Sequence, residues 1–510
     1  LHRNHPYVYY DMIRIYMSHY IKVIVSFLIL MLSLSACSRS QYPKNLTMIP
    51  ANASMVTCID AKQLIEKSSL GSFKSSQTAN IIAQTGLNEQ WMLKTLIGDP
   101  TKSGIDFKTI YVFLLNPNQI GITFPLHSAS SFENTVLSLE KDEQHPVTIQ
   151  TISSCKYIFF SEQDSTVLVW DHHKALVMIH SNPQIACSVF ATTQDKSILT
   201  NKDFVQFYKK RGDVACWVAM DELTQCKFLK DQSSSLTALA NGYVHANLFF
   251  NRGKIEGKID FSVQSASKKV FQSVVKQTED SSLITYMPAT PYIMARVSVH
   301  PELIISYLPS LNGLTSPYDK LLHAWAGDAA FSFFGFANGG FPVPQIELEA
   351  TLQDHKGYDI LLNGLLKQFP KRNMGGYTLV TIQPFMLYTA LQCQTMMLTT
   401  NESLIRNFAA HCAPEHHLES SAWKGIIHDP LFLYANLDLE NYPEGLSDFL
   451  NSFSDGMLDA VKQNLIFKDL EASYNPLTNE AFFNLRLKDT TQNSLHVLLQ
   501  KVDEAVAATN

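Results

Sequence analysis

The sequence predicts an α+β chain built as two homologous repeats, each a mainly antiparallel sheet with helices packed on one face. Three observations carry this. Alternating apolar and polar runs are joined by short turns, as in TVLVWDHHKALVMI around Asp171 to Lys174 and LEASYNPLTNEAFFNLRL around Asn475 to Asn479. Such pairs read as hairpins, and hairpins imply antiparallel sheet. Segments with apolar residues at helical spacing, such as Ala61 to Lys67 and Leu404 to Ala409, supply helices to cover a sheet face. Finally, four segments recur in the same order at a nearly constant offset, the mark of internal duplication.

The first of these matches pairs IPANASMVTCIDAKQLIEKS, opening at Ile49-Pro50-Ala51, with MPATPYIMARVSVHPELIISY, opening at Met287-Pro288-Ala289. Each reads as a Pro-Ala turn, a strand of period two and an amphipathic helix. QIGITFPLHSASSFENTVLSL from Gln119 matches QIELEATLQDHKGYDILLNGLL from Gln345. DVACWVAMDELTQ from Asp213 matches DPLFLYANLDLENY from Asp429, with Asp221 and Asp438 each placed to cap a helix after a strand. Phe271, Val274 and Val275 match Leu495, Leu498 and Leu499 on a helix face.

Along the chain, residues 1–16 read as upstream sequence ahead of the true start, with Met17 or Met12 as the natural initiator. Residues 17–36 form a signal peptide: Lys22 gives the positive flank and Val23 to Leu34 the apolar core. That core is too short for a comfortable membrane span, which needs ~20 apolar residues. Leu34-Ser35-Ala36-Cys37 has the form of a lipobox, so Leu34, Ser35 and Ala36 are the signal-peptidase recognition residues and Cys37 the lipidation site. Residues 37–45 are the lipidated cysteine and a polar tether. Repeats follow at 46–283 and 284–510.

Composition narrows the function classes. Apolar residues make up 46% and charged residues only 17%, with 30 Phe and 20 Tyr, which gives a large core and argues against disorder. A formal charge of −6 without a long basic run excludes nucleic acid as partner. Cys58, Cys155, Cys187, Cys216, Cys226, Cys393 and Cys412 show no CxxC pair and read mostly as buried thiols, with a single disulfide left open.

The lipobox, the tether and the opening MIPANASMVTCIDAKQLIEKSSL together resemble the uncharacterised Bacteroidetes lipoproteins of domain-of-unknown-function family 4836, from Met48 onward. The resemblance implies an envelope protein and brings no activity or catalytic residues with it. Surface-exported lipoproteins of that phylum often carry acidic residues after the lipidated cysteine. Ser38-Arg39-Ser40-Gln41 has none, which favours an outer-membrane anchor facing the periplasm. Asp164-Ser165-Thr166 and Asp489-Thr490-Thr491 resemble the O-glycosylation pattern of such envelope proteins and mark Ser165 and Thr490 as acceptors.

No phosphate-binding glycine loop and no nucleophile elbow is present in the sequence. SxxK strings, among them Ser153/Lys156, Ser265/Lys268 and Ser421/Lys424, raise a serine acyltransferase, but the only KSG, Lys102 to Gly104, precedes them all. The metal-ligand types gather most densely at His411, Glu415, His416 and His417, yet Pro414 breaks the helix that would align them, so the segment reads as a polar loop. Neither a catalytic residue, a metal nor a cofactor is assigned. The expected function is a membrane-anchored envelope lipoprotein with a non-catalytic binding or scaffolding role and an unknown envelope protein or glycan as partner. The alternatives are an envelope hydrolase with its site in a cleft between the repeats and an accessory protein of glycan uptake.

Overall fold

The computed structural model describes residues 42–69, 103–116, 119–138, 148–152, 155–161, 165–223, 242–262, 274–276, 282–303, 316–337, 343–412, 429–442, 465–476 and 478–508. Twenty strands lie among them. The first ten are β1 (Met55–Ile59), β2 (Ile110–Asn116), β3 (Gln119–Pro125), β4 (Gln150–Ile152), β5 (Cys155–Ser161), β6 (Thr166–Trp170), β7 (Lys174–Ile179), β8 (Val214–Ala219), β9 (Tyr243–Asn251) and β10 (Lys254–Ser262). The second ten are β11 (Ile293–Ser298), β12 (Trp325–Ala337), β13 (Val343–Leu352), β14 (Lys371–Asn373), β15 (Thr378–Ile382), β16 (Phe385–Gln392), β17 (Thr395–Thr399), β18 (Leu431–Asn436), β19 (Phe467–Asn475) and β20 (Glu480–Leu487).

All pairings are antiparallel and the sheet is one. Its first ten strands run 4-5-6-7-3-2-1-8-9-10. The second ten run 14-15-16-17-13-12-11-18-19-20. Strands β10 and β20 then pair with each other, from Lys254 opposite Arg486 to Asp260 opposite Glu480. This corrects the expectation of two separate helix-packed repeat sheets: a single twenty-stranded sheet crosses the molecule. The cause lies at the strand edges. β10 and β20 are long strands with unpaired backbone groups on one side, and each supplies the partner that the other lacks.

The seam is tight. A Cβ built on Gly257 of β10 would lie 1.8 Å from Cε1 of Phe483 on β20, so the phenyl ring occupies the space that a side chain would take. The same device recurs where Phe113 of β2 covers Gly121 of β3, at 2.1 Å.

Helices cover both faces, not one. Along β6, Val167 and Val169 join one core cluster while Leu168 and Trp170 join another on the opposite face. Helices α1 (Ala61–Ser68), α2 (Ala129–Ser138), α3 (Pro183–Phe190) and α4 (Lys202–Lys209) lie in this half. α3 and α4 bring Phe190, Phe204 and Phe207 to the first cluster, and α2 brings Phe132 and Val136 to the second. Burial on both faces explains the unbroken apolar runs TVLVW and KALVMI. Asp60 caps α1 by accepting from Gln63 N at 3.0 Å. The turn at Arg211-Gly212-Asp213 is a structural tie: buried Asp213 holds Lys67 of α1 at 2.6 Å and accepts from Phe250 N of β9 at 2.7 Å.

In the second half, α5 (Glu402–Ala409) packs Ile405 and Phe408 beneath Tyr388 and Met397. The final helix, α6 (Ser494–Ala508), crosses back: His496 Nδ1 donates to the Ser68 carbonyl of α1, and Val497 joins Ile255 in a cluster on β9 and β10. In the other direction Val275 bridges to Val299 just after β11, and Lys276 Nζ reaches Asp328 of β12 at 2.9 Å. Each half is therefore completed by a segment that follows the last strand of the other.

The seam makes a prediction. Gly257→Ala should force Phe483 off its seat and cost ~1 to 3 kcal/mol, as overpacking does. Urea denaturation checks it, and an unchanged midpoint would show that the close approach is not needed.

Candidate functional site

One sheet face differs in chemistry between the halves. Residues opposite one another in the ladder share a face, so the register identifies the row Glu471, Tyr434, Met294, Ser332, Glu347, Thr399 across β19, β18, β11, β12, β13 and β17. The next row holds Phe432, Arg296, Ala330, Glu349 and Met397. The matched positions in the first half are apolar or small: Phe113 for Ser332, Gly121 for Glu347, Thr123 for Glu349, Cys58 for Arg296.

Glu347 and Glu349 are both 0% exposed. Among the described residues, none of their four carboxyl oxygens has a hydrogen-bond partner apart from the contact the two carboxyls make with each other. They lie two apart on β13 and interact directly. Burial, chiefly, pushes the Glu347 carboxyl up to about 7. Burial, together with the neighbouring Glu347 charge, lifts Glu349 well above the ordinary carboxyl range. Two like charges in a core cannot both ionise without a counter-charge, so one keeps its proton. Ser332, also 0% exposed, has no partner for its hydroxyl among the described residues.

A second polar cluster sits where α4 meets the middle of the sheet. Asp203 Oδ1 holds His245 Nε2 at 2.7 Å and accepts from Trp217 Nε1 at 2.9 Å, while Oδ2 accepts from Ser262 Oγ at 2.7 Å. Against the upward push of burial, these hydrogen bonds hold Asp203 below the usual carboxylate range. Serine, histidine and aspartate are all present, but the wiring differs from that of a hydrolytic triad. There the histidine takes the serine proton. Here Ser262 donates to the carboxylate, and the cluster fastens α4 to β8, β9 and β10. Asp260, across from His245, is raised by burial despite that imidazole.

Around the seam, the same face is a half-exposed polar floor. Lys258 pairs with Glu480 at 2.5 Å, Lys254 with Glu256 at 2.7 Å, and Arg486 forks onto Asp469 and Glu471. The reverse of those strands is apolar, with Leu248, Ile255, Phe483 and Leu485 packed together.

The residues singled out in the sequence do not converge. Cys37, Leu34, Ser35, Ala36, Glu415, His416 and His417 lie outside the described residues. His411 is exposed at the end of α5, with its N–H donating to the Phe408 carbonyl. Ser165 sits in the turn before β6, where its carbonyl accepts from Ser181 N at 2.8 Å, and Thr490 lies exposed beside Gly253. Asp221 falls within the short helix Met220–Leu223, and Asp438 makes no capping bond, its carboxylate instead taking Lys488 at 2.7 Å. Among the described residues no three His, Cys, Asp or Glu side chains converge. Cys58, Cys155 and Cys187 are buried free thiols, whereas Cys393 and Cys412 are exposed ones.

Fold and site define a protein of one long antiparallel sheet that carries a sealed acid pair in its second half and a polar floor at its seam. The chain belongs to the family described as Domain of unknown function (DUF4836), whose model matches residues 45–314. Among solved structures it is similar to crystal form III of TP0453, at 11% identity and a TM-score of 0.29 over 47% of this chain and 89% of that one. Crystal form I of the same protein gives 10% identity and a TM-score of 0.29 over 48% and 91%. No curated protein matches the chain.

The acid pair sets a pH dependence. The folded chain keeps a proton that the unfolded chain releases near the ordinary carboxyl value of 4.5, so stability falls as pH rises from there through about 7. With chelator present, thermal unfolding should decline over that window, and the double variant Glu347→Gln/Glu349→Gln should flatten the slope. A wild-type slope that survives the substitution would place its origin elsewhere.

Proposed function

We propose that the protein is a membrane-anchored cell-envelope lipoprotein with a non-catalytic binding role, and that the polar floor at the seam is its binding face. The floor carries this reading. It joins fixed ion pairs with amide side chains such as Asn247 and Asn484 on strands that are only half-buried, and charged and amide groups held in place recognise polar partners at little ordering cost. Either an envelope protein segment or a glycan suits such a face. Non-catalytic action is supported by two features: the acid pair is sealed from solvent, and the one serine bonded within a histidine-aspartate cluster donates to the carboxylate. The lipobox at Leu34 to Cys37 supports the anchor, because acyl chains on a cysteine hold a protein at the bilayer when more than one is attached.

Two experiments test this. Metabolic labelling with an alkynyl fatty acid should mark the wild-type chain and not Cys37→Ala, which should accumulate as precursor; label on the variant would refute the anchor. On an array of envelope glycans and peptides, the purified chain should retain ligand without converting it, and Asp260→Lys should weaken retention about tenfold, roughly 1.4 kcal/mol. Ligand turnover, or retention untouched by changes in the floor, would overturn the reading.

A further inference from the structure

We propose that Glu347 and Glu349, with the hydroxyls of Ser332 and Thr399, form a buried oxygen-donor site for a hard divalent cation. The register places the parts. Glu347 lies between Ser332 on β12 and Thr399 on β17, and neighbours across strands hold their Cβ atoms ~4.5 to 5.5 Å apart. Glu349 is on the same strand and face, one step along, and its flexible stem brings its carboxyl against that of Glu347.

The donor set calls for a cation. Among the described residues no positively charged side chain bonds either carboxyl; Arg296 is two strands away across Ala330. Among the described residues Ser332 Oγ, wholly buried, has no partner, while Thr399 Oγ1 donates to the Ile346 carbonyl at 2.7 Å and accepts from Asn401 N at 3.0 Å, which leaves it one lone pair for a ligand. A shared proton would satisfy one contact between the acids and leave the remaining oxygens unmatched. Calcium, magnesium and manganese ions take such oxygens together, at ~2.0 to 2.6 Å for calcium and magnesium, and a double positive charge cancels the pair. The scaffold does not require the acids, since Gly121 and Thr123 hold the matched positions in the apolar first half. Buried acids that the fold can do without, facing a buried unpartnered hydroxyl, point to a ligand.

The test uses the full chain purified in detergent, stripped with EDTA and equilibrated with calcium or manganese. Elemental analysis should find one ion per chain, thermal unfolding should shift upward, and affinity should rise from pH 6 to pH 8 as the competing proton leaves. Glu347→Gln and Glu349→Gln should each lower affinity about tenfold or more and Ser332→Ala less, while Glu66→Gln on the exposed side of α1 should bind as wild type. If the glutamine variants do not fold, the double variant Glu347→Gly/Glu349→Thr, which carries the first-half residues, should fold and bind no metal. A folded wild-type chain that takes up no ion at millimolar concentration, or glutamine variants that bind as wild type, would overturn the proposal in favour of a shared proton.

Discussion

The pairing of β10 with β20 is the constraint on which the rest of the molecule depends. Without it each half would end in a long strand with a free row of backbone donors and acceptors, a template for unwanted association. With it, the two ends of the sheet lie at the short strands β4 and β14, of three residues each, which leave little edge to extend. The seam also aligns the charged groups of β10, β20 and β19 on one side and the apolar groups on the other. Asn479 reinforces it by donating to the Phe261 carbonyl, and Asn493 by donating to that of Phe250 at 2.9 Å.

A shared strand order carries two different fillings. In the first half the face with Val56, Tyr111, Phe113 and Trp217 is apolar and closed by aromatic contacts, such as Phe204 against Trp217 at 5.7 Å between ring centroids. In the second half the matched face holds Arg296, Ser332, Glu347 and Glu349. Burying such groups is unfavourable unless they are paired or neutralised. The first half therefore acts as the stable partner, and the second accommodates chemistry at some cost in stability.

The local elements were legible in the sequence. The strand ending at Ile59, the helix starting at Ala61, and the hairpins around Asp171 and Asn475 follow from short-range patterns and appear where those patterns lie. The joining of two sheets into one was not, because alternation in KIEGKIDFS and EAFFNLRL shows a strand without showing what its edge meets. The acid pair was hidden for a related reason. In QIELEATL the glutamates alternate with Ile346 and Leu348, which reads as polar residues facing water. The strand is covered on both sides, and the glutamates are the more deeply buried set. The only signal was the comparison of matched positions, in which Gly121 and Thr123 give way to two acids.

The return of α6 onto α1 has a bearing on biogenesis. The first half keeps part of its helical cover in a segment that follows every strand of the second half, so part of its hydrophobic surface stays open until the second half has been made. Contacts of this sequence separation are slow to form, because a long loop must close before they are rewarded. The two halves are thereby committed together: a first half that waits for α6 closes only when the strands of the second half are in place, and α6 acts as the clasp of a single cooperative unit.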